Sequence, residues 1–185
     1  MPKSRRHLPH IHEIGHPIFL TWRLHGTLPA HLSSKETLTS GNAFAAIDNI
    51  LDHSQTGPHH LKNPHIANMI VEAIHYNGYR LNHYKLHAYV IMSNHVHLLI
   101  TPKVPLPKLT QSLKGITAKR ANEILNRTGQ PFWQEETYDH HIRNGREFNK
   151  IRIYIEQNPV KAGLATEPAQ YPWSSSCYDR NSPQV

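Results

Sequence analysis

The feature that most constrains this chain is a pair of apolar runs, Tyr84 to Met92 and His95 to Thr101, separated only by Ser93-Asn94. Two such runs joined by two turn-forming residues predict a β-hairpin with a tight turn. Side chains alternate along a strand, so His95 and His97 point to one face of the hairpin and Val96 to the other. Two imidazoles held that way can offer two nitrogens to a metal ion; two histidines on a half-buried strand can equally well pack or hydrogen-bond.

The rest of the chain can be read around that hairpin. Pro17 to Leu24, closed by Gly26, predicts a first strand. The stretch from Gly26 to about Lys62 is less regular, with an apolar helical segment, Phe44 to Leu51, followed by the loop-like His53 to Pro58. Asn63 reads as a helix N-cap with Pro64 in the first helical position, and Ile66, Ile70, Ala73 and Ile74 give that helix an apolar face to about Tyr76. From Pro107 or Lys108 to about Asn126, Leu109, Leu113, Ile116, Ile124 and Leu125 recur at helical spacing, with Gly129 as a stop. Tyr138 to Arg143 predicts a short strand, and Glu147 to about Gln157 a last helix with Phe148, Ile151 and Ile155 facing the core. The order β-α-β-β-α-β-α predicts an α+β fold, a ferredoxin-like antiparallel sheet with helices packed on it.

Near the end stands Tyr154-Ile155-Glu156-Gln157-Asn158-Pro159. Tyr154 and Asn158, four apart on a helix, share a face and can present a phenol and an amide to one point. A tyrosine on an amphipathic helix is more often core or rim than nucleophile, and a phenol of ordinary pKa about 10 attacks poorly until something stabilises its charge. Pro159 disfavours helical backbone at Asn158, which predicts that the helix ends there with Asn158 as a terminal cap. If a metal binds, two imidazoles and one oxygen leave coordination positions open for phosphate oxygens. Mg²⁺ prefers oxygen ligands, so Mn²⁺ binds such a set more tightly.

Charge narrows the partners. Across 185 residues, 20 Lys+Arg against 13 Asp+Glu give a net +7, which favours polyanions, nucleic acid ahead of an anionic membrane surface. Lys108, Lys114, Lys119 and Arg120 form a basic stripe on the penultimate helix; such stripes are usually solvated faces, and the overall charge tilts this one toward phosphate. Cys177 is the sole cysteine, which excludes an intramolecular disulfide and a thiolate zinc cluster and points to a reducing compartment. No apolar run is long enough for a bilayer span, and the basic start lacks the apolar stretch of a secretion signal. Seventeen histidines weaken any argument resting on one of them, since a solvated or hydrogen-bonded imidazole is the default. Trp22 is expected in the core, while Trp133 and Trp173 are open to core packing or base stacking.

Three motifs in order carry a family resemblance: His87 to Leu99 with Asn94-His95-Val96-His97, then Pro131-Phe132-Trp133-Gln134, then Tyr154 to Leu164. Thr21-Trp22-Arg23-Leu24 and Tyr171-Pro172-Trp173-Ser174-Ser175-Ser176 also fit. Together they resemble the REP-associated tyrosine transposases, single-tyrosine HUH transposases, over most of the chain. The segment Gly26 to Lys62 and the histidine load depart from that pattern.

The resemblance implies the HUH endonuclease/transposase fold and a metal-dependent nuclease and strand transferase acting on single-stranded DNA near hairpin repeats. By position, His95 and His97 match the metal ligands, Asn158 the polar third ligand and Tyr154 the nucleophile that forms a 5′-phosphotyrosine link. The cofactor implied is a divalent metal, Mg²⁺ or Mn²⁺. Lys114, Lys119, Arg120, Arg143, Arg146 and Lys161 are the expected phosphate contacts. The expected organisation is a basic N-terminal arm over 1–16, a single HUH transposase domain over 17–176 and a C-terminal tail over 177–185. The expected partner is single-stranded or hairpin DNA, not a membrane, with a homodimer left open and a cytoplasmic, nucleoid-associated location. Two rivals stand: a domesticated relative that grips hairpin DNA without cutting it, and a metallohydrolase that uses water and leaves Tyr154 structural. Tyr138 is the alternative nucleophile.

Overall fold

The computed structural model describes residues 14–28, 41–54 and 57–177, so most of the expected N-terminal arm and C-terminal tail lie outside the described residues. Four strands, β1 (Ile18–Arg23), β2 (Tyr84–Ile91), β3 (His95–Pro102) and β4 (Tyr138–His141), form one sheet in the order β2-β3-β1-β4. All three pairings are antiparallel. Among the described residues, four α-helices accompany them: α1 (Gly41–His53), α2 (Pro64–His75), α3 (Leu106–Ile124) and α4 (Gly145–Lys161). This is the expected α+β, ferredoxin-like arrangement.

Alternation along the two central strands sorts the core into two layers. Ile18, Leu20 and Trp22 of β1 and Val96, Leu98 and Ile100 of β3 join Ile66, Ile70 and Ile74 of α2 and Leu109 and Leu113 of α3. Phe19 and Leu99 face the other way, toward Ile155, Phe148 and Ile151 of α4. The imidazoles of β3 therefore look into the α4 layer, and Trp22 is buried as expected.

β2 pairs with β3 across the tight turn at Ser93-Asn94, where the Met92 N–H donates to the His95 carbonyl at 2.9 Å. Its register shifts between Leu86 and Ala88, so His87 is an inserted residue. A bulge reverses the alternation. Tyr84 before it and Tyr89 and Ile91 after it consequently reach the same layer. The segment after α4 covers this edge: the Trp173 carbonyl accepts from the Ile91 N–H at 2.9 Å, and the Tyr89 N–H donates to Ser175 Oγ at 3.1 Å. A covered edge offers no free ladder for association.

Caps set two helix starts. Asn63 Oδ1 accepts the His65 N–H ahead of α2, and Asn144 Oδ1 accepts the Glu147 N–H ahead of α4. Two sequence expectations need correction. In α3 the buried stripe continues from Leu109 and Leu113 to Thr117 and Ala121, while Ile116 and Ile124 are 44% and 41% exposed. A polar residue belongs in that stripe because the Thr117 hydroxyl accepts the Trp133 indole N–H at 2.9 Å and donates to the Leu113 carbonyl at 2.6 Å. Trp133 is accordingly a core residue.

The second correction is that α4 does not stop at Asn158; it runs through Pro159 to Lys161. Proline's local preference against helix at the preceding residue loses to burial, since Asn158 and Pro159 are both buried and the Asn158 carbonyl accepts the Ala162 N–H at 3.0 Å.

These two faces of α3 give a direct test. Leu113→Ala removes a fully packed side chain and is expected to lower unfolding free energy by about 2–5 kcal/mol. Ile116→Ala, one turn away on the wet side, should change it by only about 0.5 kcal/mol, both read from urea unfolding monitored by circular dichroism.

Candidate active site

The site starts from β3. His95 and His97 are fully buried, pair with Arg23 and Thr21 of β1, and bring their Nε2 atoms to 3.1 Å from each other. The remaining ring nitrogens are tied. Asn94 Nδ2 donates to the Leu51 carbonyl at 2.9 Å, so its Oδ1 is left to accept from His95 Nδ1 at 2.7 Å. The proton of His95 therefore sits on Nδ1 and the Nε2 lone pair faces its neighbour. His97 Nδ1 meets Thr21 Oγ1 at 2.7 Å, and its Nε2 lies 3.2 Å from Asn158 Nδ2. Such outer partners fix tautomer and ring orientation for a metal.

Asp48 of α1 completes the cluster and is the residue that sequence reasoning missed. Its Oδ1 lies 3.2 Å from His97 Nε2 and 3.5 Å from His95 Nε2, and Asp52, one turn on, lies 3.6 Å from His95 Nε2. The available signal was a pair of acids, Asp48 and Asp52, spaced one turn apart in an otherwise apolar helical segment.

Burial pushes the Asp48 carboxyl up, but the two imidazoles and the Asn158 amide outweigh it and hold it below the usual range. Asp52 is pushed up to about 7 by burial and by Asp48. His95 is held down to about 3, by burial first and then by His97, so its ring is neutral and able to donate a lone pair.

Asp48, His95 and His97 could hold a metal ion, their ligand atoms all lying within 4.8 Å of one another. The donor set fits one. Adjacent ligands of an octahedral ion with bonds of about 2.1 Å stand about 3 Å apart, close to the separations here. Moreover Asp48 Oδ1, Asp52 Oδ1 and Asn158 Oδ1 are buried without a hydrogen-bond partner, a costly state that a cation relieves. The two ends of an amide exchange by a half-turn, which would turn the Asn158 oxygen toward the same point.

Tyr154 is half-buried on α4, one turn before Asn158, and its ring lies 5.7 Å from that of His97 and 6.3 Å from that of Phe19. Lys161 places its Nζ 4.9 Å from the centre of the Tyr154 ring. The rival Tyr138 also abuts Phe19, but burial, then Asp139 and Glu147, raise its phenol pKa and disfavour the phenolate.

The expected phosphate contacts separate. Lys161 stands at the site, and Arg143 and Arg146 are exposed at the start of α4. Lys119 and Arg120 are exposed on α3, which packs in the opposite layer of the sheet. Lys114 is taken up by the fold: its Nζ donates to the Gln134 and Glu135 carbonyls, each at 2.8 Å, and to Thr137 Oγ1, and burial lowers it to about 8. Trp173 is part-buried, donates its indole N–H to Asn68 Oδ1 and stacks edge-on against Tyr171.

One antiparallel sheet thus brings two strand imidazoles and a helix tyrosine into the same layer. The family model described as "Transposase IS200 like" matches residues 59–158, more than half of the chain, and the chain belongs to that family. A solved structure of a REP-associated tyrosine transposase bound to a REP hairpin is similar in fold, with TM-score 0.55 at 17% identity over 97% of this chain and 86% of that one. A candidate transposase from Deinococcus radiodurans R1 aligns with TM-score 0.40 at 16% identity, over 83% of this chain and 97% of that one. Comparison with curated proteins finds no match.

Because Asn94 orients His95 from behind, Asn94→Ala is expected to weaken Mn²⁺ binding by about 10–100-fold in isothermal titration calorimetry. His95→Ala should abolish it, and Asn158→Ala should weaken it less than Asn94→Ala.

Proposed function

We propose that this chain is a metal-dependent single-stranded DNA nuclease and strand transferase of the REP-associated tyrosine transposase kind, cutting beside hairpin repeats through a 5′-phosphotyrosine link. The observation that carries the reading is the convergence of Tyr154, Asn158 and Lys161, on successive turns of one helix, with His95, His97 and Asp48. His95 and His97, with Asn158, would hold a divalent cation, Mg²⁺ or Mn²⁺, and Asp48 would join them in the DNA-free chain. When bound, such an ion polarises a phosphate oxygen and stabilises the charge that develops there.

The chain's own residues do the rest. Tyr154 Oη attacks the scissile phosphorus; the bond to the 3′ oxygen breaks, the phenolic proton ends on that oxygen, and a 3′-hydroxyl leaves. Lys161, lying against the Tyr154 ring, supplies positive charge as the phenol loses its proton. Attack by a second 3′-hydroxyl reverses the step and joins strands without external energy. Arg143, Arg146 and Lys161 neutralise phosphates on the α4 side, and Lys119 and Arg120 hold the DNA farther away.

We assign the catalytic domain to 17–176, flanked by a basic arm and a short tail. No helix among the described residues is long and apolar enough to cross a membrane. A location in the cytoplasm on the nucleoid, alone or as a homodimer, fits DNA as the partner.

The deciding experiment is the covalent adduct. Wild type incubated with single-stranded DNA flanking a hairpin and Mn²⁺ should give a denaturant-resistant protein-DNA species whose attached peptide contains Tyr154. Tyr154→Phe should lose the adduct and keep DNA affinity. Adduct at Tyr138, or cleavage to free product with no adduct, would sink the assignment.

Substrate form is separable from affinity. DNA binding should weaken steeply with salt on any DNA, as phosphate contacts require. Cleavage should be confined to a single-stranded site beside a folded stem, with perfect duplex left intact at the same salt.

A further inference from the structure

Helix α1 closes the site to which it contributes. His95 and His97 are 0% exposed, Asn158 1% and Asp48 2%, so no face of the cluster meets solvent. Beside Asp48, between α1 and the strands β1 and β4, lies a cavity of about 30 Å³ lined by Thr21, Arg23, Ile47, Leu51, Glu136 and Tyr138. That admits a water molecule or two but not a phosphodiester. A scissile phosphate cannot reach these ligands while α1 is seated.

Among the described residues, Ile47 and Leu51 pack with Leu28 in a cluster apart from the two cores on either side of the sheet. The polar ties of α1 run to the site itself: Asn94 Nδ2 to the Leu51 carbonyl, Asn158 Nδ2 to Asp48 Oδ2 at 3.4 Å, and the two imidazoles facing Asp48 and Asp52. A helix packed apart from the main cores can open locally without unfolding them. A carboxylate and a phosphodiester are both oxygen-donor anions and compete for the same positions around a cation.

We propose that α1 is a removable plug: in the DNA-free chain Asp48 and Asp52 occupy the metal-facing positions that phosphate oxygens must take, and single-stranded DNA binds by displacing the helix. The inference rests on the DNA-cleaving reading of the site. It makes the free chain a metal-loaded but closed form, in which DNA affinity is reduced by the fraction of molecules with α1 displaced.

The test uses the full chain carrying Tyr154→Phe, so that cleavage does not intervene. Amide hydrogen exchange over 46–53 is measured with Mn²⁺ alone and then with Mn²⁺ and a single-stranded oligonucleotide flanking a hairpin. Mn²⁺ should slow exchange there, and the oligonucleotide should speed it by about tenfold or more. Asp48→Ala and Leu51→Ala cut two different ties and should each raise oligonucleotide affinity, by fluorescence anisotropy, about three- to tenfold. Asp48→Ala should at the same time weaken Mn²⁺ binding in the absence of DNA; Asp48→Asn replaces it should the alanine variant not fold. Exchange that stays slow with oligonucleotide bound, no gain of affinity in either variant, or joint loss of Mn²⁺ and oligonucleotide binding in the Asp48 variant would make Asp48 a standing ligand and overturn the plug. Failure of wild type to form an adduct would instead strike the cleavage reading, while exchange and affinity still decide the plug.

Discussion

The burial of β3 on both faces is the constraint from which the site follows. A strand with Val96, Leu98 and Ile100 in one core and Leu99 in the other leaves no water for the imidazoles at its start. His95 and His97 then have to be satisfied from within the protein, and each finds its partner for one ring nitrogen, Asn94 or Thr21. The other nitrogen of each ring is left facing its neighbour at 3.1 Å, a juxtaposition that only a cation or a shared proton makes favourable. The dry strand thus dictates both the orientation of the ligands and the need for something between them.

Helix α4 answers that need from the other side of the layer. Its last turns carry Tyr154, Asn158 and Lys161 in a row, and the row survives Pro159 because the Asn158 side chain is anchored against His97 and Asp48. The penalty of placing a residue before proline in helix is a local one, and tertiary contacts at a buried position override it. α1 contributes two carboxylates, Asp48 and Asp52, to the same cluster.

Much of the scaffold was legible because its signals are local. The two-residue turn at Ser93-Asn94, the Asn63-Pro64 helix start, the burial of Trp22 and the shared face of His95 and His97 all follow from neighbouring residues. Other features were not. The bulge at His87 lies in the pairing register between β2 and β3, which the alternation of residues along β2 does not disclose. The exposure of Ile116 and burial of Thr117 depend on Trp133 arriving from a later loop. Lys114 reads as a surface cation in sequence, yet three acceptors from 134–137 close around its ammonium.

By itself the sequence determined the strands and helices around the site, the pair of imidazoles on one strand face and the tyrosine-to-asparagine spacing on one helix, because these rest on periods of two and about four residues. Tertiary structure alone decided that Asp48 joins His95 and His97, that Asn158 stays helical, and that the cluster is shut from solvent. Each of those depends on side chains far apart in the chain meeting in one dry layer, where desolvation rather than local preference sets which groups must be neighbours.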